Sequence, residues 1–339
     1  MSSIDLRSDT VTRPTPAMRE AMVLAEVGDD VFGEDPEANR LQARAAELLG
    51  KEAALFVPSG TMANQVAVSI WTRPGDVVLA GEHAHLLLYE GGAAAALSGC
   101  QITTLGRGGL FDAADVHAAA APDEQHHAPT TLVSVENTHN YAGGVVFPLE
   151  QIRAIGEAAR EHGMRMHLDG ARIFNAVVAT GTAARSWAEP FDTISFCLSK
   201  GLGAPVGSMV VGDAEAIRRC HRVRKRFGGG MRQIGMLAAA GLHALDHHVE
   251  RLADDHANAT RLAAGLRELG CRVDPEPQTN MVMFEVDDVM GFIRETRSRD
   301  LLINPMKPGV FRAVTHLDVS EADVDDALQR IGEALRALG

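Results

Sequence analysis

Short apolar runs bounded by turn residues recur through the first two thirds of the chain. Such runs are typical of strands buried on both faces of a sheet, and they cover Ala53–Val57, Val77–Ala80, Thr131–Val135, Met164–Leu168, Thr193–Leu198 and Ser208–Val211. Amphipathic segments such as Leu149–His162 separate them and predict helices. Strands that alternate with helices predict an α/β domain with a mostly parallel sheet and right-handed crossovers.

The pattern changes towards the end of the chain. Ala214–Val223 and the long, Ala/Leu-rich Gln233–Leu269 are predicted helices. After Gly270 we predict a compact α+β unit with a loop at Pro305–Gly309; its predicted strands and helices are Met281–Val286, Val289–Arg299, Leu301–Ile303, Val310–Thr315 and Glu321–Leu338. The predicted division is therefore an N-terminal arm (1–20), a large domain (21–245) and a small C-terminal domain (246–339).

Composition and charge narrow the classes of protein. The chain has 339 residues, 46% of them hydrophobic, which is enough for a large core. A net charge of −13 argues against nucleic acid as a partner. The four cysteines show no CxxC spacing and predict free thiols, and no metal site is predicted. The N-terminus lacks an apolar signal core, and Leu86–Leu97 is interrupted by Glu90 and is too short to span a bilayer, so we expect a cytoplasmic protein that does not bind membranes.

A lysine lies at the end of one predicted strand. The apolar run that begins at Thr193 leads into Ser199-Lys200-Gly201. Burial disfavours the charged form of a lysine, and an uncharged lysine amine can form a Schiff base with an aldehyde. The alternative is a lysine that extends into solvent where the strand meets a loop.

Asp169 lies at the end of the preceding predicted strand. A carboxylate in an apolar setting requires a cationic partner, and the protonated ring nitrogen of pyridoxal phosphate is such a partner. Two alternatives remain open: Asp169 caps the following helix, or it pairs with Arg172.

Two further segments supply ligand-binding groups. Ser59-Gly60-Thr61 lies between a strand and a helix, where hydroxyls and free backbone N–H groups bind phosphate, although ordinary helix capping explains the pattern as well. His85 follows the strand Val77–Ala80 and is placed to stack on a flat ring, unless it is simply a surface histidine. Ligands of open α/β sheets bind at the carboxyl ends of the strands. These segments therefore predict a single site for pyridoxal 5′-phosphate.

The sequence resembles the low-specificity L-threonine aldolases, a family of fold-type I pyridoxal-phosphate enzymes. The resemblance extends from residue 4 to about residue 318 and rests on the segments Ile4–Arg13, Gly28–Val31, Ser59–Asn64, Glu136–Asn140, Asp169–Asn175, Leu198–Gly203, Gly228–Gln233 and Val314–Asp318. It implies a large domain with a mostly parallel seven-stranded sheet between helices and a smaller C-terminal α+β domain.

The resemblance implies a role for each cofactor-binding residue. Lys200 would form the covalent link to pyridoxal phosphate, and Asp169 would keep the pyridine nitrogen protonated. His85 would stack on the ring and lie near the substrate hydroxyl. Gly60 and Thr61 would bind the phosphate.

The resemblance also implies sites shared between subunits of a homotetramer, arranged as a dimer of dimers. Lys225, or Arg232 in a glycine-rich turn, would reach the phosphate from the partner subunit. His126 would approach the substrate hydroxyl in the same way, although the neighbouring His127 is an alternative. The basic run around Lys225 has a second interpretation as a solvated helix face.

Three residues are implied to bind the substrate carboxylate: Ser8, Arg172 and Arg312. Arginine suits this task because its guanidinium binds a carboxylate through two parallel hydrogen bonds. Arg172 would also lie beside the cofactor. The alternative for Arg312 is a surface charge on an edge strand.

The implied reaction is the retro-aldol cleavage of L-threonine, L-allo-threonine and other β-hydroxy-α-amino acids to glycine and an aldehyde. Lys200, His85 and His126 are the implied catalytic residues. Two other functions remain open at this stage. One is a pyridoxal-phosphate β-elimination from serine-like amino acids, and the other is a catalytically silent α/β scaffold.

Overall fold

The computed structural model describes residues 3–339, and its strands form three sheets. The strands are β1 (Ile4–Asp5), β2 (Ala53–Val57), β3 (Val77–Gly81), β4 (Gln101–Leu105), β5 (Thr130–Glu136), β6 (Arg165–Asp169), β7 (Thr193–Cys197), β8 (Ser208–Gly212), β9 (Met281–Glu285), β10 (Leu301–Leu302), β11 (Asn304–Lys307) and β12 (Val310–Val314). The helices are α1 (Pro16–Leu24), α2 (Pro36–Leu49), α3 (Gly60–Trp71), α4 (His85–Leu88), α5 (Ala113–Ala119), α6 (Leu149–Glu161), α7 (Ile173–Thr180), α8 (Ala184–Ala188), α9 (Ala214–Arg226), α10 (Gly235–His247), α11 (Leu252–Glu268), α12 (Val289–Arg297) and α13 (Glu321–Leu338).

The central sheet has seven strands in the order β2-β8-β7-β6-β5-β3-β4. Its middle pairs are parallel, whereas β8 runs antiparallel to both β2 and β7. Since two antiparallel steps restore the direction, β2 points the same way as β7. The carboxyl ends of the parallel strands therefore share one edge with the end of β2, and the predicted mostly parallel sheet is confirmed.

Residues 3–339 form four hydrophobic clusters, and the two largest lie in different parts of the fold. The larger is formed by the central sheet and the helices packed on it, and includes Phe56, Leu168 and Phe196. The smaller is built from β9, β12 and helices α11–α13, with Phe284 and Phe311 stacked at its centre. β1 pairs in parallel with β10 and adds Ile4 to the smaller core. No helix among residues 3–339 is long and apolar enough to cross a membrane.

Two local predictions are wrong. The predicted helix over Gln233–Leu269 is two helices, α10 and α11, with a turn at residues 248–251. α10 contributes Leu245 to the larger core, whereas α11 contributes Leu262 to the smaller one. A single straight helix could not pack against both of these cores, so the chain turns between α10 and α11.

The predicted loop at Pro305–Gly309 is shorter than expected, because β11 occupies residues 304–307 and pairs antiparallel with β12. Proline is tolerated there because β11 is an edge strand. The structure also contains β4, which the pattern did not predict; its polar residues are largely exposed on the edge of the sheet.

Candidate active site

The predicted cofactor groups lie along the carboxyl edge of the central sheet. Asp169 is the last residue of β6, Lys200 follows the adjacent β7, and His85 starts α4 just after β3. Ser59 caps α3 after β2, and its Oγ accepts from the Met62 N–H at 3.2 Å. The fold therefore brings together residues from four separate strand ends.

A cavity of about 210 Å³ opens beside this edge. Five of the predicted site residues line it: Ser8, His85, Arg172, Lys200 and Arg312. A larger cavity of about 500 Å³ lies near the amino ends of β3, β5 and β6, but none of the predicted site residues lines it. The smaller cavity is therefore the candidate active site.

Asp169 is buried, with 4% of its surface exposed. Its Oδ2 accepts from Asn64 Nδ2 at 2.8 Å, and its Oδ1 accepts from the Ala171 N–H at 3.2 Å. Burial alone would raise the pKa of Asp169, but the charges on His85 and Lys200 outweigh burial and lower it. Asp169 is thus an ionised carboxylate whose charge interacts with that of Lys200. The alternative pairing with Arg172 is not seen.

His85 is held by a second buried carboxylate. Its Nδ1 lies 2.9 Å from Oε1 of Glu90, whose side chain is fully buried. Burial alone would lower the pKa of His85, but the hydrogen bond to Glu90 and the charge on Asp169 outweigh burial and raise it. The ligand atoms of His85, Glu90 and Asp169 lie within 4.8 Å of one another. Because Asn64 donates to both carboxylates, the cluster is a hydrogen-bonded network and carries no metal assignment.

Arg172 and Arg312 both line the cavity, but their partners differ. Arg172 donates from Nε and Nη2 to the carboxylate of Asp9 over 2.7 and 2.6 Å. Arg312 donates to Oδ1 of Asn140 at 2.6 Å and to the carbonyl of Arg7 at 3.3 Å. Its Nε has no hydrogen-bond partner among residues 3–339. Burial and the charge on Arg172 lower the pKa of Arg312 to about 10, so it stays cationic at neutral pH.

The alternative interpretation of Arg312 as an edge-strand surface charge is wrong. Arg312 belongs to β12, the middle strand of a three-stranded sheet, and its side chain is directed to the cavity. Ser8 belongs to the N-terminal segment and lines the same cavity. Its Oγ accepts from the Thr10 N–H at 3.2 Å.

The remaining predicted residues lie outside this cavity. Lys225 lines a separate cavity on α9, and Arg232 pairs with Asp29 at 3.1 Å. His126 is exposed in the loop before β5, which is at the amino edge of the sheet, and the adjacent His127 pairs with Glu124. One chain alone therefore does not bring His126, Lys225 or Arg232 to the site.

Gly60 and Thr61 form the first turn of α3 but do not line the cavity. The backbone of Gly60 leaves no room for a side chain, because a Cβ there would lie 2.9 Å from Sγ of Cys197. Oγ of Ser208 is 3.7 Å from the same Cβ position, and it has no hydrogen-bond partner among residues 3–339.

Three partners in the site were not predicted: Asp9, Asn64 and Glu90. Asn64 and Asp9 lie inside recognised segments but carried no assigned role. Glu90 had a detectable signal, since it is an isolated carboxylate in the apolar run Leu86–Leu97. A charge in such a run requires partners.

The residues present fit pyridoxal phosphate. Lys200 supplies an amine next to the cavity, and Asp169 supplies a buried carboxylate for the ring nitrogen. The start of α3 offers free N–H groups near the unpartnered Ser208 hydroxyl, a setting that suits a phosphate. Arg312 is a half-buried cation on the cavity wall, and it forms no ion pair with any of residues 3–339.

Comparison with known proteins agrees with this geometry. Residues 5–289 match the model of the beta-eliminating lyase family. The chain is 47% identical to a low specificity L-threonine aldolase of Escherichia coli (strain K12), over 94% of this chain and 95% of the relative. It is 42% identical to low-specificity L-threonine aldolase 1 of Arabidopsis thaliana, over 99% of this chain and 97% of the relative.

Solved structures agree on the fold. A threonine aldolase of Leishmania major has a TM-score of 0.85 at 22% identity, with 99% of each chain covered. A serine palmitoyltransferase of Sphingomonas wittichii has a TM-score of 0.77 at 20% identity, covering 99% of this chain and 88% of that one.

The fold and the site define a fold-type I pyridoxal-phosphate enzyme, as the sequence predicted. The chain belongs to the beta-eliminating lyase family and, within it, to the low-specificity L-threonine aldolases. The predicted family, fold class and cofactor are confirmed. The domain limits and the role of each site residue stay predictions.

Proposed function

We propose that this chain cleaves L-threonine and L-allo-threonine to glycine and acetaldehyde, and that it accepts other β-hydroxy-α-amino acids. One observation carries the proposal: an arginine that forms no ion pair with residues 3–339, a histidine and a lysine line one small cavity, and the buried carboxylate of Asp169 lies close by. These are the groups needed to bind an amino acid by its carboxylate and to remove a proton from its hydroxyl. The names of the curated relatives support the choice of substrate.

Arg312 is the residue that binds the substrate carboxylate in this proposal. Its Nε is unpartnered, and no carboxylate within residues 3–339 forms an ion pair with it. A guanidinium binds a carboxylate through two charge-assisted hydrogen bonds. Ser8 lies on the same wall and adds a hydroxyl donor. Clamping the carboxylate selects which bond of Cα is aligned for cleavage.

Lys200 and Asp169 hold the cofactor at the sheet edge. Pyridoxal phosphate, when bound, withdraws electrons from Cα of the amino acid and so weakens its bonds. Lys200 presents its amine to the cavity, and Asp169 keeps a proton on the ring nitrogen because its own pKa is lowered. The first turn of α3, with Gly60 and Thr61, holds the phosphate.

His85 accepts the proton of the substrate hydroxyl. Its Nδ1 is engaged by Glu90, so Nε2 is the nitrogen available to the cavity. Loss of that proton allows the Cα–Cβ bond to break, and the hydroxyl carbon leaves as the aldehyde. The electron pair of the broken bond stays on Cα, which takes up a proton to give glycine. A positioned general base contributes about 10²- to 10⁴-fold to such a step.

A homotetramer with sites shared between subunits completes the proposal, and we place it in the cytoplasm. His126, Lys225 and Arg232 lie outside the cavity of their own chain and become useful if a partner presents them. Large apolar side chains are exposed near α1, including Val23 (81%), Leu24 (74%) and Phe32 (73%), which supports burial of this surface in an assembly.

A mixture of the inactive variants Lys200→Ala and His126→Ala would regain part of the activity if one site takes residues from two chains.

A product assay tests the reaction. The holoenzyme is incubated with L-threonine, L-allo-threonine and L-serine, and glycine, acetaldehyde, keto acid and ammonia are each measured. Glycine and acetaldehyde in equal amounts support the proposal. Keto acid and ammonia without glycine would establish β-elimination instead. If the enzyme shows a normal cofactor spectrum but forms none of these products, both reactions are contradicted.

A further inference from the structure

Glu90 is a buried carboxylate with three hydrogen-bond donors around it. Its Oε1 accepts from Asn64 Nδ2 at 2.7 Å and lies 2.9 Å from His85 Nδ1, while its Oε2 accepts from Gln65 Nε2 at 2.6 Å. A buried carboxylate persists only when its lone pairs are satisfied in this way. Because an ionised carboxylate only accepts hydrogen bonds, the proton between Glu90 and His85 belongs to Nδ1 of the histidine.

We propose that Glu90 is a positioning residue for His85: it fixes the proton on Nδ1 and leaves Nε2 unprotonated, as the acceptor for the substrate hydroxyl proton. The inference rests on the proposed function, because it assigns the ring nitrogen that takes part in it. Glu90 itself does not line the cavity and acts only through the imidazole.

Asn64 prevents Glu90 from changing its orientation. The two amide hydrogens of Asn64 are shared between Glu90 and Asp169, at 2.7 and 2.8 Å. Its Oδ1 accepts from Ser195 Oγ at 2.8 Å and lies 3.2 Å from Nε2 of His167. One amide therefore fixes both buried carboxylates, one behind the histidine and one behind the cofactor ring.

Several charged groups face His85, and Glu90 is the one in direct contact with its ring. Asp169 and Lys200 act on it from β6 and from the end of β7 with opposite signs. Glu136 of β5 accepts from the backbone N–H of His85 at 2.6 Å. Arg172 and Arg312 share its cavity, and the ring of Tyr89 lies 5.5 Å from its own. The net effect raises the pKa of His85, against the effect of burial.

Gln65 makes a neutral replacement of Glu90 feasible. Oε1 of Gln65 is buried and has no partner among residues 3–339, because its amide nitrogen is turned towards Glu90. In Glu90→Gln, a flip of the Gln65 amide lets that oxygen accept from the new Gln NH₂ group. The new carbonyl oxygen still accepts from His85 and Asn64, so the shape is kept and only the charge is removed.

The test is the pH profile of kcat/KM for L-threonine, measured with holoenzyme of wild type and Glu90→Gln. A neutral imidazole is the active base, so kcat/KM rises as pH increases through the pKa of His85. Removing the Glu90 charge lowers that pKa, and the rise moves to lower pH. The plateau falls about 10- to 100-fold, which is less than the full contribution of a general base, about 10²- to 10⁴-fold, because His85 itself is kept.

A second variant relocates the charge. In Glu90→Gln/Gln65→Glu the carboxylate contacts the side chain at position 90 but no longer contacts His85. We expect the low-pH rise of kcat/KM, its acidic limb, to move part of the way back towards the wild-type pH. A merely structural role for Glu90 would lower the thermal stability of both variants without moving the limb. An unchanged limb in a folded, cofactor-loaded Glu90→Gln would overturn the inference.

Nitrogen-15 spectra of the histidine rings give a readout that needs no turnover. His85→Asn identifies the His85 signals in the holoenzyme without substrate, and we expect the proton on Nδ1. A proton on Nε2 in the wild type would refute the inference even if Glu90→Gln failed to fold. If wild type produces no glycine from threonine, the proposed function fails, whereas the assignment of the tautomer is judged separately.

Discussion

Two arginines on one cavity show how the same side chain is used in different ways. Arg172 forms two short hydrogen bonds with Asp9, and both side chains are buried (5% and 0% exposed). Arg312 has neutral partners only, the side chain of Asn140 and the carbonyl of Arg7. The charge of Arg172 is therefore compensated within the protein, whereas that of Arg312 is available for an anionic ligand.

The partner of Arg172 changes how its role is interpreted. Burial alone would raise the pKa of Asp9, but the charge and hydrogen bonds of Arg172 hold it well below its usual value. The pair therefore links the N-terminal segment, where Asp9 lies in a 3₁₀ helix, to the loop after β6. Arg172 is therefore held in the wall of the cavity by its pairing with Asp9, and Arg312 is the residue that the proposed function assigns to the substrate carboxylate.

The largest expected effect comes from breaking the compensated pair. Asp9→Ala leaves Arg172 as a buried charge without a partner, which destabilises a protein by about 3–5 kcal/mol. Urea unfolding of the variant and wild type measures the difference in the free energy of unfolding. Glu215→Ala is the matched control, because Glu215 accepts the same two hydrogen bonds from the exposed Arg218, at 2.8 and 2.7 Å, and ion pairs this exposed contribute little to stability. If both variants lose the same free energy of unfolding, Asp9 does not compensate a buried charge on Arg172, and the distinction between Arg172 and Arg312 fails.

Arg312→Ala tests the other side of the comparison. It removes an uncompensated cation, so we expect little loss of stability and a higher KM for L-threonine. Hydrogen bonds to charged groups contribute about 1.5–3 kcal/mol, which corresponds to a decrease of about 10- to 150-fold in kcat/KM. Arg7→Ala is the control, since the Arg7 guanidinium already pairs with Asp5 at 2.6 Å. A KM that is unchanged in Arg312→Ala would remove Arg312 from the substrate site.

The sequence alone predicted the site residues that lie at the carboxyl ends of parallel strands. Lys200 and Asp169 each follow an apolar run, and adjacent parallel strands bring such ends together. The hydrogen-bond partners of Asp169 and Arg172 could not be predicted from the sequence. Asp9 is 163 positions from Arg172, and Asn64 is 105 positions from Asp169, so no local pattern relates them.

Errors in the predicted fold have a similar origin. The turn at residues 248–251 divides α10 from α11 because each helix packs on a different core, and helical periodicity alone continues through it. β11 and β4 are edge strands, and an edge strand buries too little surface to show a clear apolar alternation. Tertiary packing determines where these helices and edge strands begin and end, and the sequence of a single segment does not contain that information.

The smallest effect separates charge from shape at Arg312. Arg312→Lys keeps a positive charge on the cavity but loses the planar group that forms two parallel hydrogen bonds. Loss of one net hydrogen bond is worth about 0.5–1.5 kcal/mol, so we expect kcat/KM to fall about 2- to 12-fold. The decrease should appear in KM, because the carboxylate is bound in the same way before and during cleavage. If Arg312→Lys is as damaged as Arg312→Ala, the geometry of the guanidinium matters more than its charge, and contact with Asn140 at 2.6 Å becomes the feature that orients it.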